Sequence, residues 1–255
     1  MKKTAVITGA TAGIGREFAE QLAATGHDLV LVARDESRLA ATAQELQEKY
    51  AIQCEILKAD LSKPEDLACV ETRVAQDDVE MLVNNAGFGL NQRFADGDRD
   101  REHYMIEVLV VAVMRLTHAA LGGMKQRNRG EVIVVSSVAS FIAGGTYSAA
   151  KAWTTVFVEG LSQELRGTNI RVSALCPGFT RTEFHQRAGI RMNGLPNIMW
   201  LDARSMVAAG LRDHYRGKVI SIPGWQYKLL MFMVRIAPRP FVRSVGYGSR
   251  KRVSR

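Results

Sequence analysis

The chain of 255 residues alternates short apolar runs with longer segments of helical periodicity. The runs are rich in β-branched residues and lie at Thr4–Ile7, Leu29–Val32, Glu55–Leu57, Met81–Val83, Val132–Val135, Val172–Leu175 and Val219–Ile222. The segments between them predict helices at Ile14–Ala24, Glu36–Lys49, Pro64–Ala75, Arg99–Gln126, Tyr147–Leu165 and Asp202–Tyr215. A strand buried on both faces shows no polar alternation, so this order indicates a parallel sheet covered by helices on both faces. We therefore predict one doubly wound α/β domain of about seven strands.

The composition is typical of a globular protein in a reducing compartment. Hydrophobic residues make up 47% of the chain, which is enough for a sizeable core. The three cysteines, Cys54, Cys69 and Cys176, have no metal-ligand spacing and do not indicate a disulfide framework. The apolar stretch near the N-terminus ends after a few residues at Thr8-Gly9, so no secretion signal is indicated. We expect a cytoplasmic protein without a metal site.

The formal net charge of +8 comes from the C-terminal part of the chain. From His214 to Arg255 there are ten Lys or Arg residues and no Asp or Glu. Residues 1–213 then hold 24 basic and 26 acidic side chains, a net charge of −2. Because the basic residues belong to the tail and no recognition motif accompanies them, nucleic acid is not an expected partner. We divide the chain into a main domain at residues 1–222 and a basic, partly apolar extension at 223–255.

A glycine-rich turn directly follows the first predicted strand. It reads Thr8-Gly9-Ala10-Thr11-Ala12-Gly13-Ile14-Gly15 and leads into a helix. Glycines allow a tight turn and a close approach of the backbone to a pyrophosphate, which the N–H groups and the dipole of the helix N-terminus stabilise. The position of the turn, between the first strand and the first helix, predicts a Rossmann-type dinucleotide site.

Three motifs in this order resemble the short-chain dehydrogenase/reductase family. They are the glycine turn, Asn84-Asn85-Ala86-Gly87 after the fourth strand, and Tyr147-Ser148-Ala149-Ala150-Lys151, and the resemblance spans residues 4–222. It implies that the first motif binds the cofactor pyrophosphate, that the second stabilises the sheet and lines the ribose, and that an aspartate contacts the adenine. The resemblance assigns these roles to Gly9, Thr11, Gly13, Ile14, Gly15, Asp60, Leu61, Asn85, Ala86 and Gly87. It also implies a homodimer or homotetramer.

The end of the second strand bears on the choice of cofactor. An acidic residue there would accept hydrogen bonds from the ribose 2′-OH and repel a 2′-phosphate. This strand instead ends in Val32-Ala33-Arg34, and an arginine can pair with the phosphate in bidentate fashion. Arg38, one turn into the next helix, is in position to assist. NADP(H) is therefore favoured, while Asp35 keeps NAD(H) possible and a solvated surface charge is the alternative for Arg34.

Tyr147 and Lys151 stand four residues apart and so share one face of a predicted helix. Positive charge from Lys151 and from an oxidised nicotinamide would favour the phenolate, which lets Tyr147 exchange a proton with a carbonyl or alcohol oxygen. The resemblance gives the second serine of Ser136-Ser137 the role of binding the substrate carbonyl, and we assign it to Ser137. The segment between Ser137 and Tyr147 is about three residues shorter than the common family pattern, so Ser136 stays an alternative. A helix cap is the structural alternative for either serine.

The resemblance fails at one position of the proton relay. The family usually has an asparagine on the fourth helix, in a pattern like Asn-Val-x-Ala followed by Arg-Leu-Thr, and this chain has Leu109 at that position. Leucine offers no hydrogen bond. Our hypothesis is that a backbone carbonyl and water still carry protons to Lys151 through a less ordered relay.

The segment after the sixth strand resembles the family's Pro-Gly loop beside the nicotinamide. The resemblance assigns cofactor contacts to Pro177, Gly178 and Thr182, and we interpret Cys176 as a packed small side chain. An irregular stretch at about residues 183–201 is interpreted as an apolar cover over the substrate, with ordinary core as the alternative. Its apolar residues are Phe184, Ile190, Met192, Leu195, Ile198, Met199 and Trp200.

The extension contains a short apolar segment flanked by cations. Its longest fully apolar run, Leu229–Val234, is far shorter than the roughly 20 residues that span a bilayer. Its cations are Lys228, Arg235, Arg239 and Arg243. The segment is compatible with peripheral contact to an anionic membrane, with closure of the substrate pocket, or with packing on a second subunit.

These features together predict an NADP(H)-dependent oxidoreductase of the short-chain type. Hydride would pass between the nicotinamide and a carbonyl or secondary alcohol, with an apolar ketone, aldehyde or 3-oxoacyl group as substrate. Tyr147 would supply the proton, Lys151 would lower the pKa of Tyr147 and hold the ribose, and Ser137 would orient the carbonyl. The alternative from another class is a non-catalytic NADP(H)-binding sensor or scaffold that acts through its basic tail.

Overall fold

The computed structural model describes residues 3–184, 195–238, 240 and 242. Its centre is one sheet of seven parallel strands in the order β3-β2-β1-β4-β5-β6-β7. The strands are β1 Thr4–Thr8, β2 Asp28–Ala33, β3 Cys54–Lys58, β4 Val79–Asn84, β5 Gly130–Val135, β6 Ile170–Leu175 and β7 Ile220–Ser221. This confirms the predicted doubly wound α/β sheet.

Eight α-helices connect or follow the strands in the described part of the chain. They are α1 Gly13–Ala24, α2 Glu36–Tyr50, α3 Pro64–Val74, α4 Arg99–Ile106, α5 Ala112–Gln126, α6 Thr146–Glu164, α7 Ala203–Tyr215 and α8 Trp225–Ile236. Short 3₁₀ turns lie at Val138–Phe141 and Asn197–Met199. Each predicted helix is therefore present, and most bounds differ by a residue or two.

The helices bury their apolar faces on opposite sides of the sheet. Val6 on β1 is buried with residues of α3, α5 and α6, such as Val70, Leu116 and Val158. The next residue, Ile7, is buried on the other face with residues of α1, α2 and α7. Successive strand side chains point to opposite faces, so a strand that is apolar at every position supplies both cores. The sheet is thereby fixed from both sides, and its carboxyl edge becomes a rigid base for the loops.

The predicted helix at Arg99–Gln126 is continuous but not regular. A π-helical turn at Glu107–Val111 joins α4 to α5, and the N–H of Ala112 donates to the carbonyl of Glu107, five residues earlier. Three of the four residues from Val108 to Val111 are β-branched, which lowers the preference for a regular α-helix. By length and composition this helix is a candidate membrane span, but Leu116, Ala120 and Met124 belong to the core, which identifies it as a core helix.

Candidate active site

The carboxyl ends of β1, β4, β5 and β6 lie side by side, because these strands are neighbours in a parallel sheet. Each end continues into one of the segments that the sequence singled out: the glycine turn after β1, Asn85 after β4, the serine pair after β5 and Pro177 after β6. Ligands of open α/β folds bind outside this edge. The sheet order thus brings together motifs that are far apart in sequence.

Hydrogen bonds from the side-chain amide of Asn85 hold the glycine turn to the end of β4. Nδ2 of Asn85 donates to the carbonyl oxygens of Thr8 at 2.8 Å and of Gly9 at 3.2 Å. Gly9 has a φ of +68°, and a Cβ there would stand 2.9 Å from Nδ2 of Asn85, so only glycine fits. The backbone N–H groups of Asn85 and Ala86 donate to Oγ1 of Thr8 at 2.9 and 3.0 Å.

The first helix starts within this turn and has no side-chain cap. Ala12 is the N-cap residue of α1, and no side chain accepts a hydrogen bond at this helix end. The first N–H groups of a helix have no intrahelical acceptor, which makes this end suited to an anion such as a pyrophosphate. Thr11, Gly13, Ile14 and Gly15 lie at or beside this end. The donor set therefore fits the phosphates of a dinucleotide.

A hydrogen-bonded chain connects the ends of β2 and β3. Nη1 of Arg34 donates to the Tyr104 hydroxyl at 2.8 Å, and that hydroxyl lies 3.2 and 3.3 Å from the Asp60 carboxylate oxygens. Burial raises the pKa of Asp60, but hydrogen bonds from Ser62 and Tyr104 and the charge of Arg34 outweigh this effect and lower the pKa. Leu61 follows Asp60 and is buried. The Arg34 side chain is exposed, but its hydrogen bond to Tyr104 makes it part of this hydrogen-bond network rather than a purely solvated charge.

Arg38 connects the glycine turn with the segment after β6. Its Nη2 donates to the Thr11 carbonyl at 3.2 Å and to the Glu183 carboxylate at 3.0 Å. The neighbouring Asp35 caps α2, because its Oδ1 accepts the Arg38 N–H at 3.0 Å and the Ser37 hydroxyl at 2.7 Å. These two bonds lower the pKa of Asp35. Asp35 is thus engaged by its own helix, while both arginines border the cofactor end of the sheet.

Tyr147 lies in the first turn of α6 and Lys151 one turn later, as their spacing predicts. Nζ of Lys151 is 5.9 Å from the centre of the Tyr147 ring and donates to the Val135 carbonyl at 2.7 Å. Ser137 lies close enough to the Tyr147 phenol to lower its pKa. Its Oγ also accepts the Ala139 N–H at 3.1 Å and so caps the Val138–Phe141 turn. The structure therefore brings all three predicted catalytic side chains together.

Ser136 is directed into the protein rather than toward Tyr147. Ser136 is only 2% exposed. Its hydroxyl donates to the Lys151 carbonyl at 2.9 Å and lies 2.8 Å from Oγ1 of Thr155. It therefore fixes α6 against the end of β5. The alternative in which Ser136 replaces Ser137 is not supported.

Burial dominates the electrostatics of the pair. Desolvation raises the pKa of Tyr147 to about 12, with Ser137 acting in the opposite direction, and burial lowers the pKa of Lys151 to about 8. The amine of Lys151 donates to the Val135 carbonyl. The expected lowering of the Tyr147 pKa depends on the positive charges of Lys151 and of an oxidised nicotinamide together, and it stays a prediction.

Leu109 occupies the space beside the lysine amine. It is fully buried in the π-helical turn, and its Cδ2 is 2.7 Å from the position that a Cβ on Gly87 would take. The same position is 3.7 Å from Nζ of Lys151. Leu109 packs with Met105 and Ala150. Methyl groups therefore stand where a polar relay side chain would be expected.

The loop after β6 forms the far wall of the site. The Val138 N–H donates to the Pro177 carbonyl at 3.0 Å, which joins this loop to the turn after Ser137. Thr182 lies against the glycine turn, because its Cβ is 3.0 Å from where a Cβ on Gly13 would be. Cys176 is fully buried, as interpreted from the sequence.

Tyr227 of α8 packs directly on Gly178. A Cβ at Gly178 would stand 2.0 Å from the Tyr227 ring, so only glycine allows this approach. The Tyr227 hydroxyl accepts the Phe179 N–H at 2.9 Å and donates to the Met199 carbonyl at 2.5 Å. The first helix of the extension is therefore anchored to the loop that borders the catalytic side chains.

Comparison with known proteins identifies the family. The sequence pattern of short chain dehydrogenases matches residues 3–192. The chain belongs to the short-chain dehydrogenase family. Its relatives include the very-long-chain 3-oxoacyl-CoA reductase of Laccaria bicolor, which is 34% identical over 235 residues, 89% of this chain and 70% of the relative.

Solved structures agree with this assignment. A short-chain dehydrogenase from Sphingobium yanoikuyae in complex with NADPH has a TM-score of 0.84 and 36% identity, over 91% of this chain and 93% of that one. A bulky-bulky ketone specific alcohol dehydrogenase from Comamonas testosteroni has a TM-score of 0.80 and 31% identity, over 91% and 92% of the two chains. This short-chain dehydrogenase is thus an oxidoreductase that acts on carbonyl and alcohol groups of small molecules and binds a nicotinamide dinucleotide.

Sequence reasoning missed several residues of the dehydrogenase's site. Phe184, whose ring centre lies 6.0 Å from that of Tyr147, was expected in the apolar cover. Tyr104 and Tyr227, which bridge segments that are distant in sequence, were not singled out. No spacing rule identifies such partners, because their contacts depend on how loops fold back on the sheet. From the sequence, Glu183 was identified only as the first residue of the cover segment. An arginine, Arg38, and an acidic residue near the same sheet edge could have indicated their ion pair.

Part of the predicted cover and tail falls outside the described residues. This concerns Ile190 and Met192 of the cover, and Arg239 and Arg243 of the extension. Among the described residues of the dehydrogenase, no group of three or more His, Cys, Asp or Glu side chains is arranged to hold a metal ion.

Proposed function

We propose that this dehydrogenase is an NADP(H)-dependent reductase of apolar carbonyl compounds, with 3-oxoacyl thioesters and bulky ketones as the substrate class. The observation that carries the proposal is the assembly of Ser137, Tyr147 and Lys151 at the sheet edge beside the glycine turn. The names of a 3-oxoacyl-CoA reductase and a bulky-ketone dehydrogenase among its relatives support the substrate class.

The protonation state of Tyr147 is compatible with reduction of a carbonyl. With a pKa of about 12, the Tyr147 phenol is protonated at neutral pH and is suited to donate a proton to a carbonyl oxygen. Ser137 offers a second hydrogen bond to the same oxygen. The bound nicotinamide supplies the hydride. We infer that Lys151, whose Nζ lies 5.9 Å from the centre of the Tyr147 ring, takes part in returning a proton to the phenol after turnover.

The surroundings of Tyr147 support an apolar substrate. Phe184 packs beside its ring, and Tyr147 itself packs with Phe88 and Leu90 against a small buried cluster around Met105 and Leu109. An apolar wall with few directed polar groups is typical of small-molecule sites.

The test is NADPH oxidation, followed by nicotinamide absorbance, against a panel of 3-oxoacyl thioesters and bulky ketones. We expect turnover with at least one substrate, and a loss of about 10²–10⁴-fold in kcat in Tyr147→Phe with unchanged NADPH affinity, because the proton donor is removed. Ser136→Ala is the matched control for the neighbouring serine and should affect folding stability more than the pH profile. Turnover that survives Tyr147→Phe would refute the assigned mechanism.

The second candidate is a non-catalytic NADP(H)-binding sensor. The apolar Leu109 beside Lys151 is the observation that favours it. If NADPH binds but no panel member is reduced by wild-type protein, this candidate replaces the first.

We propose further that Arg34 and Arg38 select NADP(H) over NAD(H). Both border the glycine turn, and Asp35, the acidic residue between them, is engaged as the cap of α2. A charge-assisted hydrogen bond is worth about 1.5–3 kcal/mol. We therefore expect Arg34→Ala to lower the ratio of kcat/KM for NADPH over NADH by about 10–100-fold, while kcat/KM for NADH changes little. The same ratio in Lys58→Ala serves as the control, and an unchanged ratio in Arg34→Ala would contradict the assignment.

The oligomeric state and location are likewise proposals. An exposed apolar patch on α6 contains Val156, which is 66% exposed, and the stacked rings of Trp153 and Phe157. Apolar patches of this kind mark protein contacts, which supports a homodimer or homotetramer through α6. The cytoplasmic location stays a prediction from the sequence. Sedimentation of wild type and Val156→Glu tests this, and a monomeric wild type would refute it.

A further inference from the structure

Helix α8 presents an uncovered apolar face to solvent. Five of its side chains form this outer face: Trp225 at 66% exposure, Leu229 at 52%, Phe232 at 61%, Met233 at 47% and Ile236 at 68%. Their spacing of three, four or one residue places them on one side of an α-helix. Exposed apolar residues are ordinary when scattered, but a continuous stripe of large ones indicates a binding surface.

The orientation of this face is fixed by the opposite side of the helix. Tyr227 is fully buried against Gly178, and Met231 is 7% exposed. Nε2 of Gln226 donates to the Ile198 carbonyl at 3.1 Å. The inner side of α8 therefore packs on the rest of the protein. The outer face points away from the substrate pocket and does not close it.

Cations line one border of the outer face. Lys228 and Arg235 are both exposed and stand seven residues, or about two turns, apart on the same edge of the helix. From His214 to Arg255 the sequence contains ten Lys or Arg and no acidic residue. An apolar stripe bordered by cations, with Trp and Phe on the apolar side, fits the interface of an anionic bilayer.

We propose that the outer face of α8 binds the surface of an anionic lipid bilayer. A second copy of the chain fits this face less well, because an antiparallel two-fold contact would bring the cationic borders of both copies, with Lys228 and Arg235, together. Helix α8 also contacts the Val138–Phe141 turn and the Pro177–Phe179 loop. Docking through α8 would therefore hold the substrate side of the site close to the lipid surface.

Vesicle flotation tests the proposal without relying on catalysis, so its outcome is independent of the proposed reaction. The probes are vesicles of phosphatidylcholine alone and of phosphatidylcholine with phosphatidylglycerol. We expect wild-type protein to float with the anionic vesicles and to be released as salt is raised. We expect the double variants Phe232→Ser/Ile236→Ser and Lys228→Glu/Arg235→Glu each to bind at least 10-fold more weakly.

Matched controls lie elsewhere on the surface. Phe94→Ser removes an equally exposed apolar side chain from the loop between β4 and α4, and Arg99→Glu reverses a cation whose side chain is 93% exposed. Both should float as wild type does, and thermal melts should show that every variant is folded. Absence of wild-type flotation would overturn the proposal. It would also be overturned if Phe232→Ser/Ile236→Ser kept wild-type affinity, since tail charge alone would then explain binding, or if that variant lost only self-association in sedimentation.

Discussion

At the scale of single residues, the amine of Lys151 lies inside the protein and donates to the Val135 carbonyl. Burial lowers its pKa to about 8 from an ordinary value of 10.5. Between these two values the unfolded chain binds a proton that the folded protein has released, so folding becomes more favourable as the pH rises from 8 to 10.5. Below pH 8 the folded protein contains a buried charge.

We therefore expect Lys151→Met to be more stable relative to wild type at pH 7 than at pH 10. The difference in the free energy of unfolding between the two proteins should change by on the order of 2 kcal/mol between these pH values. Comparing the two pH values cancels those contributions of the side chain, such as its packing, that do not depend on its protonation state. Urea unfolding of both proteins at each pH measures the difference. A difference that does not change with pH would show that the amine is not buried in the charged form.

Leu109 gives a second prediction at this scale. Its methyl groups lie next to Gly87 and near Nζ of Lys151, where they offer no hydrogen bond. We expect Leu109→Asn to shift the pH profile of kcat and to raise kcat by a few-fold, because a polar side chain would order the proton path. Leu109→Met, which keeps the site apolar, is the control. Identical profiles for the asparagine variant and wild type would contradict a role for this position in the relay.

At the scale of elements, Glu20 joins α1 to α2. Burial raises the pKa of Glu20, but hydrogen bonds from Lys49, Tyr50 and Arg16 lower it to about 2 from 4.5. The stability that this carboxylate contributes is complete above pH 4.5 and is lost as the pH falls toward 2.

We expect Glu20→Gln to destabilise the protein at pH 7 by on the order of 1 kcal/mol, since partly solvated pairs are screened, and the deficit to disappear near pH 2. Glu36→Gln is the control, because Glu36 and its partner Lys58 are each 63% exposed. Acid unfolding followed by circular dichroism checks both, and an equal effect of the two substitutions would refute the assignment.

At the scale of the whole molecule, one close contact, between Tyr227 and Gly178, joins α8 to the loop beside the active site. Gly178→Ala would place a methyl group within 2.0 Å of the Tyr227 ring. Overpacking of this kind typically costs about 1–3 kcal/mol. We expect a lower Tm, faster hydrogen exchange in α8 and reduced turnover together. Gly122→Ala, where a Cβ meets nothing within 4 Å, should instead leave activity unchanged and stabilise α5 by roughly 0.5–1 kcal/mol.

The sequence predicted those features that depend on local pattern. Apolar runs such as Val132–Val135 identified the strands, and the four-residue spacing of Tyr147 and Lys151 placed both on α6. It did not predict the Tyr104 and Tyr227 bridges, which depend on loops that meet only in the folded chain. It also did not indicate how strongly burial raises the pKa of Tyr147 and lowers the pKa of Lys151, because burial depends on the packing of the whole fold.

The π-helical turn at Glu107–Val111 has a further consequence for how this chain can change. Such a turn holds one residue more than a regular helix of the same rise. Removing a single residue there would restore the ordinary repeat and leave α4 and α5 facing the same neighbours as before. A one-residue deletion in a regular buried helix rotates all later residues of that helix relative to their neighbours. At this turn the dehydrogenase can lose one residue while α5 keeps its packing against the same neighbours.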